Sequence, residues 1–155
     1  MKTACRLLLL LLLQPILAQA EPVDQVWPWL DSANSRWFFF NSATRPFGMV
    51  TLSPDTEVDG AWGSGYRYAT EEVKGFSHVH AWQLSGLSVM PVSSTASMSK
   101  LKSDYYSPFS HENEIVKPGY HRLVLDRYGI EVELTASTRA GFHRYRFPAG
   151  APRQL

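Results

Sequence analysis

The sequence predicts an all-β domain, an antiparallel β-sandwich. Ile130-Glu131-Val132-Glu133-Leu134-Thr135-Ala136 alternates apolar and polar residues without a break, the pattern of a strand with one wet face. Turn residues recur at short intervals, as in Ser53-Pro54-Asp55, Lys117-Pro118-Gly119 and Asp126-Arg127-Tyr128-Gly129. No segment carries a sustained 3.6-residue period, and about six or seven short strands separated by turns point to two packed sheets rather than helices.

Residues 1–20 stand apart from that domain. Lys2 and Arg6 give a basic start, residues 7–13 are all leucine, and Ala18-Gln19-Ala20 has the small residues of a cleavage site, so this stretch reads as a secretory signal peptide. Its apolar run falls short of the roughly 20 residues a membrane span needs. An exported, periplasmic or extracellular chain is expected, with residues 21–155 as one β-sandwich domain. Cys5 is the only cysteine and lies in the leader, so the domain has neither a disulfide nor a thiol nucleophile. Without Lys2 and Arg6, 13 Lys and Arg face 14 Asp and Glu, a balance that gives no electrostatic case for nucleic acid or, once the leader is gone, for a membrane surface. Seven Tyr, eight Phe and five Trp all fall in the domain, which makes it rich in rings for a core or for a ligand.

In chain order, Pro22, Pro28 and the Asp, Ser and Asn residues between positions 31 and 35 read as loop, and Trp37-Phe38-Phe39-Phe40 as an aromatic run packed under the sandwich, the alternative being that part of it stays open as a sugar platform. Residues 47–53 read as a short strand. Residues 55–60 imitate the start of an EF-hand loop, but Tyr66 stands where the bidentate Glu belongs, so a solvated acidic turn is the better reading. Tyr66-Arg67-Tyr68, residues 75–83 and residues 87–92 are further strand candidates, and residues 93–104 read as a loop. Residues 120–126 and 141–148 flank the clearest strand as its neighbours.

Gly75-Phe76-Ser77-His78-Val79-His80-Ala81-Trp82 draws the most attention as a candidate site. Read as a regular strand it places Phe76, His78, His80 and Trp82 on one face, two imidazoles between two large rings. Such a stripe suits sugar binding, with His78 and His80 hydrogen-bonding hydroxyls and Trp82 as a stacking platform. The competing readings are histidines satisfied inside a sheet, or a His-x-His zinc pair completed by His111, His121 or His143. The spacing favours none of those third ligands. His111, Glu112 and Glu114 read as loop-stabilising, and His143, Arg144 and Arg146, along the last strand, as surface partners of Glu131 and Glu133 across a strand pair.

Five blocks in order give a more specific lead. Ala43-Thr44-Arg45-Pro46-Phe47-Gly48-Met49-Val50, Leu52-Ser53-Pro54-Asp55-Thr56, Gly75-Phe76-Ser77-His78-Val79-His80, Ser107-Pro108-Phe109-Ser110-His111-Glu112-Asn113-Glu114 with Pro118-Gly119-Tyr120, and Glu133-Leu134-Thr135-Ala136 with Gly141-Phe142-His143-Arg144-Tyr145 together resemble the N-terminal domain of glycoside hydrolase family 92. The resemblance implies a supersandwich-like β-domain of a calcium-dependent exo-α-mannosidase that acts with inversion. It also implies a partner, the (α/α)6 helical domain that carries the general acid, the general base and most of the calcium environment, with mannose-containing glycans as ligands. Inversion needs two carboxyl groups about 6.5–9.5 Å apart. No carboxylate in this sequence stands in a setting that marks it for either role, so no catalytic residue and no metal ligand is carried over, and the chain is expected to end before the helical domain. Arg45, held extended before Pro46, is the side chain expected at the domain junction, with His78, His80 and Trp82 as the other sugar-contacting candidates. The alternatives are a free-standing carbohydrate-binding module without catalysis and a structural domain without a ligand.

Overall fold

The computed structural model describes residues 21–30, 32–33, 42–58, 65–80, 84–95 and 105–155. Ten strands run through the described residues: β1 (Ala43–Thr44), β2 (Thr51–Asp55), β3 (Glu72–Val73), β4 (Gly75–His80), β5 (Leu84–Val89), β6 (Ser107–Pro108), β7 (Ile115–Lys117), β8 (Tyr120–Leu125), β9 (Ile130–Ala136) and β10 (Gly141–Arg146). One sheet has the order β1-β2-β4-β5, the other β10-β9-β8-β7, and β3 and β6 form a two-stranded ribbon. Every pairing is antiparallel. β1 and β2 pack against β9, so the two larger sheets face each other as predicted.

The meander β7-β8-β9-β10 shows why sequence pattern becomes a sheet here. In β8, His121, Leu123 and Leu125 are buried while their neighbours are partly open. In β9, Ile130, Val132, Leu134 and Ala136 point inward and Glu131, Glu133 and Thr135 outward. Two tight turns set the register. Pro118 and Gly119 link Lys117 to its partner Tyr120, and Gly119 takes the positive φ of +80° that the third turn position requires. Gly129, at φ +62°, closes the turn from Leu125 to Ile130 by donating its N–H to the Leu125 carbonyl. Ala43, Leu52, Phe76, Val73 and Phe109 meet this inner face in one apolar cluster.

Three sequence expectations are corrected. Asp55 is not a solvated turn residue but the last residue of β2 and almost wholly buried. Pro54 lies within that strand, tolerated because β1 pairs only with Thr51 and Leu52 and leaves one edge of Pro54 without a partner strand. Residues 66–68 form no strand, since pairing there is confined to an isolated bridge between Glu57 and Gly65. Strand formation begins at Thr51, not at position 47, because residues 45–48 make a turn. Residues 1–20, the Trp37 to Phe40 run, Asp59 with Gly60, and most of the 93–104 segment lie outside the described residues.

Leu123 is 1% exposed between the sheets. Its replacement by Ala is expected to cost about 2–5 kcal/mol in urea unfolding, whereas Ile115→Ala, on an open edge, is expected to stay within about 0.5 kcal/mol.

Candidate functional site

Four polar groupings decorate this frame. The first is the turn Arg45-Pro46-Phe47-Gly48, closed by the Gly48 N–H donating to the Arg45 carbonyl at 2.8 Å. Pro46 suits the second position, but Phe47 occupies the third with φ +59°, where glycine is the ordinary choice. It is the one non-glycine residue with positive φ among the described residues. The Phe47 ring is fully exposed, Met49 beside it is largely so, and Arg45 is also exposed. The Met49 N–H donates to the Thr138 carbonyl at 2.8 Å, which ties the turn to the β9–β10 connection.

The second grouping surrounds Asp55. Ser77 Oγ donates to Oδ2 at 2.6 Å, and His80 Nε2 lies 2.7 Å from Oδ1. His80 Nδ1 faces the Thr51 carbonyl at 2.5 Å and its backbone N–H donates to Thr51 Oγ1 at 2.7 Å. Asp55 and the His80 side chain are each 1% exposed. Both ring nitrogens of His80 face acceptors, so the imidazole is spent in holding β4 to β2.

Glu114 is the centre of the third. It accepts from Tyr66 Oη at 3.0 Å, His111 Nδ1 at 2.6 Å and His121 Nε2 at 2.7 Å. Ser42 Oγ meets the other nitrogen of His121 at 2.6 Å, and the Tyr68 carbonyl meets His111 Nε2 at 2.8 Å. Burial alone would raise the Glu114 carboxyl, but the hydrogen bonds that it accepts, first from His121 and then from His111, outweigh it and hold it below the usual range. Burial pushes the His121 imidazole down, which suits a neutral ring whose Nε2–H donates to Glu114 while Nδ1 accepts from Ser42. Tyr66 is pushed well up by burial and then by the Glu114 charge, so its hydroxyl stays a donor.

In the fourth, His78 Nε2 and His143 Nε2 stand 3.0 Å apart, bridging β4 to β10. His78 Nδ1 reaches the Leu87 carbonyl at 2.5 Å and His143 Nδ1 the Tyr145 hydroxyl at 2.7 Å. Burial pushes His143 down to about 4, with His78 adding to the push.

The predicted stripe therefore divides. The pairing of β4 with β5 shifts by one residue between Ser77 and Val79, and His80 joins Ser77 at Asp55 while His78 turns to His143. A bulge breaks the two-residue alternation on which a shared face depends. Trp82 lies outside the described residues. Arg144 and Arg146 pair with Glu133 and Glu131 as expected, whereas His143, expected with them, turns to His78 and Tyr145 instead, and the hydrogen bonds from Arg144 and Tyr120 bring Glu133 down to about 2. Glu114 and Glu133 are thus held down, the opposite of what a general acid needs. Calcium takes six to eight oxygens. Among the described residues no group of three or more His, Cys, Asp or Glu is placed to hold a metal ion, and Asp55 is already engaged, so these residues do not fit a calcium site.

Sequence reasoning missed Phe47, Asp55 and the closing of Glu114 onto His121. A Pro-Phe-Gly turn was a legible signal for the first. Asp55 depends on partners 22 and 25 residues away, and although His111 and His121 lie only three and seven residues from Glu114, the strand β8 that carries His121 turns it back through the Pro118-Gly119 hairpin, which residue spacing does not show.

Residues 26–155 match the family described as "Glycosyl hydrolase family 92 N-terminal domain". No curated protein matches the chain. Among solved structures, the family GH92 α-mannosidase BT3965 from Bacteroides thetaiotaomicron is 27% identical, with a TM-score of 0.67 over 84% of this chain and 19% of its own. The GH92 family glycosyl hydrolase ccman5 is 26% identical, with a TM-score of 0.67 over 84% of this chain and 19% of its own. The GH92 inverting mannosidase BT2199 from Bacteroides thetaiotaomicron VPI-5482, at 23% identity and a TM-score of 0.64 over 86% of this chain and 19% of its own, supports the fold alone. This chain spans about a fifth of each of those proteins.

Acid should unfold the domain through its buried groups. His121 and His143 have folded values below the ordinary 6.5, so the unfolded chain takes up those protons first and their contribution, complete above pH 6.5, is lost as pH falls. For His143 that window runs from 6.5 to about 4. Glu114, also depressed, holds its contribution above 4.5 and loses it below. The urea midpoint should be level above pH 7 and fall steadily towards pH 4. A midpoint that rises between pH 7 and pH 5 contradicts this account.

Proposed function

The chain belongs to the glycosyl hydrolase family 92 N-terminal domain family, and from that premise we propose that it is the carbohydrate-contacting domain of an exported α-mannosidase. In this reading it acts on terminal α-mannosides with inversion, together with an (α/α)6 domain that supplies acid, base and calcium. The leader-like residues 1–20 support export.

The observation that carries the reading is the Arg45 to Met49 turn. A left-handed backbone at an aromatic residue costs about 1–2 kcal/mol, and the exposed ring makes no packing that offsets it. Strain kept at the surface marks a side chain held out for something to cover it. Phe47 offers an apolar face to a sugar ring, and Arg45 beside it offers a fork of donors to hydroxyls or to a carboxylate of the partner domain. His80 supports this arrangement from inside the sheet, by holding β4 to the β2 strand that follows the turn. His78 supports it from β4, by its bridge to β10, and Trp82 is retained as a sugar platform.

Aryl α-mannoside hydrolysis by the full chain with calcium is expected to be absent, and to appear when the chain is fused to the helical domain of a family 92 mannosidase. Hydrolysis by the chain alone would show that acid and base lie within it. Saturable binding of mannose oligosaccharides by the chain alone, abolished by Trp82→Ala, would instead favour a free-standing binding module.

In the fusion, Phe47→Gly is expected to raise stability by about 0.5–1 kcal/mol while lowering kcat/KM about tenfold or more. Arg45→Ala should lower kcat/KM with the urea midpoint unchanged. Full activity in both variants would remove the turn from the site.

A further inference from the structure

We propose that His78 and His143 form a two-imidazole site for a divalent transition-metal ion of the copper, nickel and zinc group, set between β4 and β10. Of the five histidines, three have their ring nitrogens engaged by Asp55 or Glu114 and their neighbours. His78 and His143 alone turn nitrogens towards each other, 3.0 Å apart.

That separation is the bite of a chelating pair. Two imidazoles on one ion at about 2.0–2.1 Å stand roughly 2.9 Å apart in a square-planar cis arrangement and roughly 3.3 Å apart in a tetrahedral one. A straight N–H···N hydrogen bond of the same length would put the ring centroids roughly 5.3 Å apart. They are 4.8 Å apart, with the planes at 40°, so the ring axes lean off the nitrogen–nitrogen line, as they do when two rings share an ion.

The remote nitrogens are already oriented as metal-bound histidines require. His78 Nδ1–H donates to the Leu87 carbonyl, which leaves Nε2 as a lone pair. His143 Nδ1 meets the Tyr145 hydroxyl, which can donate to it or accept from it. Without metal, Tyr145 donates to Nδ1 and the Nε2–H of His143 donates to His78. With metal, that proton moves to Nδ1, Tyr145 turns to accept it, and both Nε2 lone pairs face the ion. No proton is gained or lost. Gly141 leaves room for the His78 ring, since a Cβ there would stand 3.3 Å from His78 Cδ2 and 3.1 Å from Val50 Cγ1. Both histidines are half-buried, so water can complete the coordination.

The full chain carrying Cys5→Ser, which removes the leader thiol as a competing ligand, is titrated with Zn²⁺ by calorimetry while long-range ¹H–¹⁵N spectra follow the imidazole tautomers. The expected result is one ion per chain, transfer of the His143 proton from Nε2 to Nδ1, and nitrogen hyperfine structure from two imidazoles when Cu²⁺ is the probe. His78→Gln and His143→Gln should each weaken binding about tenfold or more. The tautomer readout needs no variant and holds even if a substitution prevents folding. Zinc that leaves both tautomers unchanged, or that binds the His78→Gln/His143→Gln protein equally well, overturns the proposal.

Discussion

A carboxylate taken out of water has to be met by donors, and Glu114 is met by three. Tyr66, His111 and His121 come from a loop, a 3-10 turn and strand β8, and Ser42 extends the set to the residue before β1. Truncating Glu114 would strand donors inside the protein, and losing any donor would leave charge uncompensated. This one group ties the Tyr66 loop, the 3-10 turn and, through His121, the Ser42 segment to strand β8.

Asp55 repeats the principle in the opposite sheet. Ser77 and His80 both reach it because a bulge separates them by three positions yet brings them to the same side. With both buried acids committed to donors inside the frame, the groups left open among the described residues include the strained turn at Phe47 and the half-buried imidazole pair. The rigid interior and the exposed turn are linked through β2: the turn leads into the strand that ends at Asp55.

The meander from β7 to β10 was legible because its information is local. Alternation at period two, Pro118-Gly119 and Gly129 specify strands and turns within a few residues of each other, and the pairing of Arg144 and Arg146 with Glu133 and Glu131 follows from the register. The short strands β1, β3 and β6 were not legible. Two residues are too few for a pattern, and they exist because β2 or each other offers a partner. The five family blocks named the fold family correctly, since they sample residues spread over the whole domain.

The sequence by itself determined that the domain is all-β, where its regular meander runs, which family it belongs to, and that Arg45 precedes a proline-led turn. Tertiary structure alone decided that Asp55 is buried and that His78 and His80 part company. The reason is physical. Alternation follows from the geometry of one strand, but burial and the facing of a side chain depend on what lies across the sheet. For His78 that is His143, 65 residues away, and for His80 it is Asp55, 25 residues away.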